Sequence, residues 1–155
     1  MTDAVNRALS VYSQVDLESA VNSASPVQLI ILLYDGAIGT LAKAKGHMQE
    51  MKFADKGRRI SHAISIIEGL RAVLDFERGG EIAKNLNDLY EYMKNRLSIA
   101  NLKNDPEGVA EVMRLLNDLR SAWATLEDGD RLKAVAEMAK LTQGQGPRES
   151  LSLRA

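Results

Sequence analysis

Apolar residues recur along this chain at three- and four-residue steps over four long stretches, the spacing of helices that share a core. The most apolar stretch is Leu29 to Ile38, L-I-I-L-L-Y-D-G-A-I. On a helical wheel Ile30, Tyr34, Ala37, Leu41, Ala44 and Met48 form one stripe, flanked by Val27, Ile31 and Ile38 on one side and by Leu29 and Leu33 on the other. About 100° of apolar arc suffices for a helix packed on one core, and this face is about twice as wide. Such a helix either lies deep among its neighbours or keeps a flank for something outside the chain.

Start and stop signals divide the pattern. Ser25-Pro26-Val27-Gln28 offers a serine N-cap, proline at the first helical position and a glutamine that can close a capping box, so a first helix is predicted from about Pro26 to about Met51. Gly36, Gly39 and Gly46 fall inside it, and close approach of another backbone at Gly36 and Gly39 would explain two of them. A second helix, capped by Asp55, is expected from about Asp55 to Glu77 with Ile60, Ala63, Ile67, Leu70 and Leu74 as its seam. Gly79-Gly80 then reverses the chain. The third helix runs from about Glu81 to Leu102 on Ile82, Leu86, Leu89, Met93, Leu97 and Ala100. Asp105-Pro106-Glu107 starts the fourth, to about Leu126, whose seam of Val109, Val112, Leu116, Leu119, Trp123 and Leu126 is the most regular. A weak helix over Arg131 to Leu141 completes the pattern.

Four matched rods with short connections should pack as antiparallel neighbours. The fold class is therefore all-α: an up-down-up-down four-helix bundle over residues 25–127. A loose N-terminal arm over 1–24 precedes it, and a short fifth helix with a disordered tail fills 128–155. At 155 residues the chain suits one domain, and 45% hydrophobic with 26% charged residues is ordinary for a globular protein. A net charge of −1 argues against nucleic acid as a partner. Without cysteine there are no disulfides, thiolate zinc sites or thiol nucleophiles. No secretory leader and no uninterrupted apolar run of about 18 residues is found, so no membrane insertion is expected and the cytoplasm is the default.

Candidate chemistry is sparse. His47 and His62 are the histidines, and neither has a glutamate three residues before it, which argues against a carboxylate-bridged dimetal bundle. His62 lies on the polar side of the second helix, where a phosphate-accepting histidine is conceivable; Ala63-Ile64-Ser65 lacks the lysine-glycine pair that usually follows one. No phosphate loop, nucleophile elbow or HExxH occurs. Metal, cofactor and catalysis are not expected.

What stands out is surplus apolar face. Leu29, Ile31, Ile38, Ile66, Val73, Tyr90, Tyr92 and Ile99 lie beyond the seams and compete for burial. They are either wide core flanks or the walls of a groove for an amphipathic partner helix. Three or four buried aliphatic anchors would contribute roughly 5–12 kcal/mol before ordering costs, enough for micromolar binding or tighter.

The order of these stretches resembles a known family. Tyr12 with Val15 in the arm, S-P-V-Q-L-I-I-L-L-Y-D-G-A-I from Ser25 and G-G-E-I-A at Gly79 carry the likeness. N-L-N-D-L-Y-E-Y-M-K-N-R-L-S-I-A-N from Asn85 and L-R-S-A-W at Leu119 continue it, so that it covers about Tyr12 to Leu126. The chain is similar to the flagellar secretion chaperones of the FliS family. That resemblance implies a cytoplasmic export chaperone whose bundle holds the C-terminal segment of flagellin, prevents premature polymerisation and hands the subunit to a component of the flagellar export gate. It implies an N-terminal arm that rests in the groove of the free protein, with Tyr12 as its gate. Carried over position by position, it places Tyr12, Leu29, Ile30, Tyr34, Leu97 and Asn101 near the partner, with Tyr90 and Tyr92 beside them. The tail beyond Asp128 is longer than the family's usual end. Two further readings stay open: a homodimer of the free protein through the same apolar flank, and a regulatory or phosphotransfer bundle acting through His62.

Overall fold

The computed structural model describes residues 25–127 and 131–143. Five helices follow one another: α1 (Pro26–Gln49), α2 (Phe53–Ala72), α3 (Phe76–Lys103), α4 (Pro106–Glu127) and α5 (Arg131–Gln143). The first four close a ring in which α1 packs on α2 and α4, and α3 packs on α2 and α4. Connections of two or three residues between packed neighbours force successive helices to run antiparallel. The result is the predicted four-helix bundle, with α5 laid on α4 and α3.

The caps explain the boundaries. At Ser25 the predicted capping box is present: Gln28 N–H donates to Ser25 Oγ at 3.2 Å and Ser25 N–H donates to Gln28 Oε1 at 2.8 Å. Asp105 likewise accepts from Glu107 N–H at 3.1 Å ahead of α4. The second connection differs from expectation. The break falls at Val73–Asp75, not at Gly79-Gly80, because the Asp75 carboxylate accepts from Glu77 N–H and Arg78 N–H, both at 3.1 Å, and starts α3 one turn early. Gly80, at φ 50° and ψ −125°, then interrupts the helical backbone, so that a short first turn meets, across a kink, the long helix expected from about Glu81; that conformation is open only to glycine. Asp55 is not a cap either: α2 begins after Lys52 with no side-chain cap, and Asp55 pairs with Arg58 inside the first turn.

All four predicted seams point inward. Tyr34, Ala37, Leu41, Ala44, Ile60, Ala63, Ile67, Met93, Leu97, Ala100, Val112 and Leu116 are completely or almost completely buried. So are several flank residues, Ile66, Tyr90 and Tyr92 among them, because each flank is shared with the next helix in the ring. Ile99 stays exposed, while Leu29, Ile38 and Val73 are half-buried. By length and mean hydropathy, 1.4 over its most apolar window, α1 is the one helix among the described residues that could cross a bilayer. Its apolar residues instead form a large part of the bundle core.

Polar ties sit on the rim of each helix pair. Arg120 of α4 grips Asp35 of α1, Arg96 of α3 reaches Glu111 at 2.9 Å and Asp105 at 3.5 Å, and Glu68, Arg71, Glu91 and Lys94 form a net between α2 and α3. Such half-exposed pairs set register more than stability.

Two glycines make opposite predictions. A Cβ on Gly108 would meet Ala100 Cβ and an Arg96 guanidinium nitrogen at 2.7 Å, so α4 can approach α3 there only without a side chain. Gly39, expected to mark a similar approach, faces open space. Urea titration should therefore find Gly108→Ala destabilised by about 1–3 kcal/mol. Gly39→Ala should gain up to about 1 kcal/mol from helix propensity alone.

Candidate functional site

At the end of the bundle where α1 begins, α2 ends and α3 starts, the ring does not close completely. An apolar cavity of about 340 Å³ remains. Ile30 of α1, Leu70, Val73 and Leu74 at the end of α2, Ile82, Ala83, Leu86 and Tyr90 of α3, Trp123 of α4 and Met138 of α5 line it. Asp75, Arg78 and Gly79, in the kinked first turn of α3, form its polar lip. Gly79 and Ala83 lie against each other on this wall, where a Cβ on Gly79 would meet the Ala83 Cβ at 2.8 Å.

Behind the wall lies a buried chain of hydrogen bonds. The Trp123 indole Nε1–H donates to the Tyr34 hydroxyl at 3.2 Å, and the Tyr34 and Tyr90 hydroxyls bond each other. Three helices, α1, α3 and α4, are thereby joined at one point. Each polar atom of the three rings has a partner, which is what allows two tyrosines to be completely buried. Burial pushes the Tyr34 hydroxyl up to about 12, against the opposing pull of the Tyr90 and Trp123 hydrogen bonds. Tyr90 is raised by burial first and by its closeness to Tyr34 second. Below about pH 10 folded and unfolded chains both keep these protons, so the tyrosines add no pH dependence. Above it the unfolded chain gives up protons that the folded one retains, and the equilibrium is drawn toward unfolding. Stability should fall as pH rises from about 10 toward about 12; urea melts with tyrosinate absorbance as the probe measure it.

The residues singled out in the sequence separate into distinct places. Ile30 and Tyr90 line the cavity, and Tyr34 stands one hydrogen bond behind it. Leu29 is half-buried on α1 and is not part of the cavity wall. Tyr92 is buried, with its hydroxyl donating to Glu111 between α3 and α4, and Leu97 is fully enclosed in the core. Asn101 sits at the opposite end of the bundle, where its backbone carbonyl accepts from the buried Lys56 Nζ at 2.6 Å. Tyr12 lies outside the described residues. Trp123 and Met138 are cavity residues that the sequence reading did not assign to a site. Their signal was weak, since Trp123 reads as a seam position and Met138 belongs to a short helix.

His62 offers little chemistry. It is half-buried in a shallow depression with Gly57, Arg58, Ser61 and Ser65, and no carboxylate lies there to orient the imidazole. Burial, then the Arg59 charge, hold it below the usual histidine range, so it is neutral near pH 7. Among the described residues no group of three or more metal-ligating side chains comes together.

An apolar hollow backed by a satisfied polar chain offers contact surface to an apolar ligand. Comparison with known proteins points the same way. The family model for flagellar protein FliS matches residues 8–130. The flagellar secretion chaperone FliS of Salmonella typhimurium is 49% identical over 116 residues, 74% of this chain and 86% of that protein. FliSB, a flagellar secretion chaperone of Pseudomonas aeruginosa, is 47% identical over 117 residues, covering 76% of this chain and 93% of that protein. The Bacillus subtilis FliS chaperone retains 30% identity over 128 residues, 83% of this chain and 92% of its own length. A match over most of the bundle, at this identity and with the fold it requires, makes the chain a member of the FliS family of flagellar secretion chaperones.

Proposed function

We propose that this protein binds the C-terminal amphipathic segment of flagellin in the cytoplasm, keeps it from polymerising and delivers it to the export gate without catalytic turnover. The observation that carries the reading is the apolar cavity of about 340 Å³ at one end of an otherwise closed bundle. Its volume falls within the roughly 300–1,000 Å³ of ordinary ligand pockets, and its wall is almost wholly aliphatic and aromatic. A hollow of this kind in a close-packed interior forgoes contacts that a filling side chain would restore. Aliphatic anchors from a partner helix would recover them, and the Asp75 and Arg78 lip can meet the polar face of that helix.

Ser25, the residue that leads into α1, stands at the cavity's end of the bundle. The proposed arm, residues 1–24, joins the bundle there. Twelve residues lie between Tyr12 and Ser25, a reach of up to about 45 Å when extended. Tyr12 can therefore lie in the cavity of the free protein and leave it when the partner arrives. The sites proposed for partner contact are Tyr12, Leu29 and Ile30, with Tyr90 as the cavity's inner wall. Tyr34 would act on binding only by holding that wall in place, and Tyr92, Leu97 and Asn101, away from the cavity, only through the fold.

Calorimetric titration of a flagellin C-terminal peptide into the full chain and into Tyr12→Ala tests the reading. A micromolar or tighter complex is expected for the full chain, and a several-fold tighter one for Tyr12→Ala, because a competing arm has been weakened. No heat with either protein would overturn it.

A further inference from the structure

The fifth helix is seated on the same surface. α5 packs on α4 and, over the cavity, on α3. Its inward stripe is Ala134, Met138 and Thr142, exposed by 1%, 6% and 1%, with Leu141 packed against the core beside them. Those positions are spaced i, i+4, i+7 and i+8, the signature of an amphipathic helix lying in a groove. Val135, one position past Ala134, faces out at 45% exposure.

The fit is incomplete. Met138 is the α5 side chain that reaches the cavity, and beneath it about 340 Å³ stays unfilled. Ala134 and Thr142 bury little area, and a helix of 13 residues has little stability of its own. A polar tie to the bundle runs from Thr125 Oγ1 to Glu137 Oε2 at 3.3 Å, at a partly buried rim where such a bond contributes modestly. α5 also stands outside the ring: the four helices that close the core pack on one another without it. The match to the family model stops at residue 130, immediately before α5 begins.

From this geometry we infer that α5 is a displaceable internal ligand: the chain's own amphipathic helix occupies the α3–α4 groove until a partner helix with larger aliphatic anchors takes its place. The inference rests on the partner-binding reading above and adds a second cover, independent of the N-terminal arm. It also specifies the partner's form. The groove accepts a helix whose anchors repeat at i, i+4 and i+7 or i+8, with a residue bulkier than methionine in reach of Ile82, Leu86 and Trp123.

Hydrogen exchange on the full chain, with and without the flagellin C-terminal peptide, tests it. Amides of α5 should exchange faster in the complex while those of α3 around the cavity exchange more slowly. In the same titrations Met138→Asp, which undocks α5, should bind the peptide at least about tenfold more tightly, and Val135→Asp, which adds the same charge on the outer face, should bind as the parent does. Binding accompanied by slower exchange in α5, or unchanged or weaker binding by Met138→Asp, would overturn the inference and leave the partner reading standing. Absence of binding by the parent, Tyr12→Ala and Met138→Asp proteins alike would overturn both.

Discussion

Replacing Ile30 with aspartate should weaken binding of the partner segment at least about 100-fold while leaving the bundle folded. Ile30 lies in the second turn of α1 and lines the cavity, yet it is only half-buried in the free protein. A carboxylate there remains hydrated as long as the cavity is unfilled, and the nearby helix N-terminus favours its charge. Once an aliphatic partner closes over it, the carboxylate must be stripped of water among apolar side chains, with Arg78 on the exposed lip as the cation of the lining, which costs several kcal/mol. A 100-fold loss corresponds to about 2.7 kcal/mol, well within that penalty. Calorimetry gives the affinity, and far-ultraviolet dichroism with a urea melt checks the fold. Undiminished binding by Ile30→Asp would remove the cavity from the account.

Leu97→Ala should produce the opposite pattern, a large loss of stability with little change in affinity. The side chain is fully enclosed between the helices of the ring. Truncating such a leucine costs about 2–5 kcal/mol, the transfer of the lost methyl groups plus the void they leave. The urea midpoint should drop with its slope unchanged, and the fraction still folded should bind the peptide within about threefold of the parent protein. An intact midpoint combined with lost binding would put Leu97 on the partner surface, as the family likeness implied from sequence alone.

These two residues show what the sequence could and could not disclose. Both are apolar members of well-formed seams, and nothing in their spacing separates a wall from a core. Periodicity reads the direction of a side chain relative to its own helix. It cannot read how far the neighbouring helix covers that direction. For this reason Ile66, Tyr90 and Tyr92 looked surplus on a wheel but are buried, each beneath the next helix in the ring. Local chemistry was more legible. The Ser25 capping box and the Asp105 cap follow from side chains three residues apart or fewer, and both are present. Asp75 offered the same kind of signal ahead of Phe76-Glu77. The stronger breaker signal of Gly79-Gly80 masked it, and Gly80 does interrupt the helix, between the turn that Asp75 starts and the long segment that follows.

The cavity itself had no pattern to read. A hollow is defined by atoms that are missing from places neighbours could have filled, and it is lined here by residues of five helices whose spacing along the chain does not reveal the gap between them. The Trp123–Tyr34–Tyr90 chain was equally hidden, since its members come from three helices and their hydroxyl and indole groups meet only after the ring closes. The ordered set of helix faces identifies the bundle, whereas the cavity depends on where those faces fail to meet.

The most direct test places a photoreactive benzoyl-phenylalanine at Ile82, on the cavity wall, and irradiates the full chain mixed with flagellin. The account predicts a crosslink to the C-terminal segment of flagellin, suppressed by an excess of the unlabelled C-terminal peptide and absent when the same group stands at Gly39, on the open face of α1. Crosslinking from position 39 with none from position 82 would contradict it, because the partner would then lie along the outside of a bundle whose cavity it never enters.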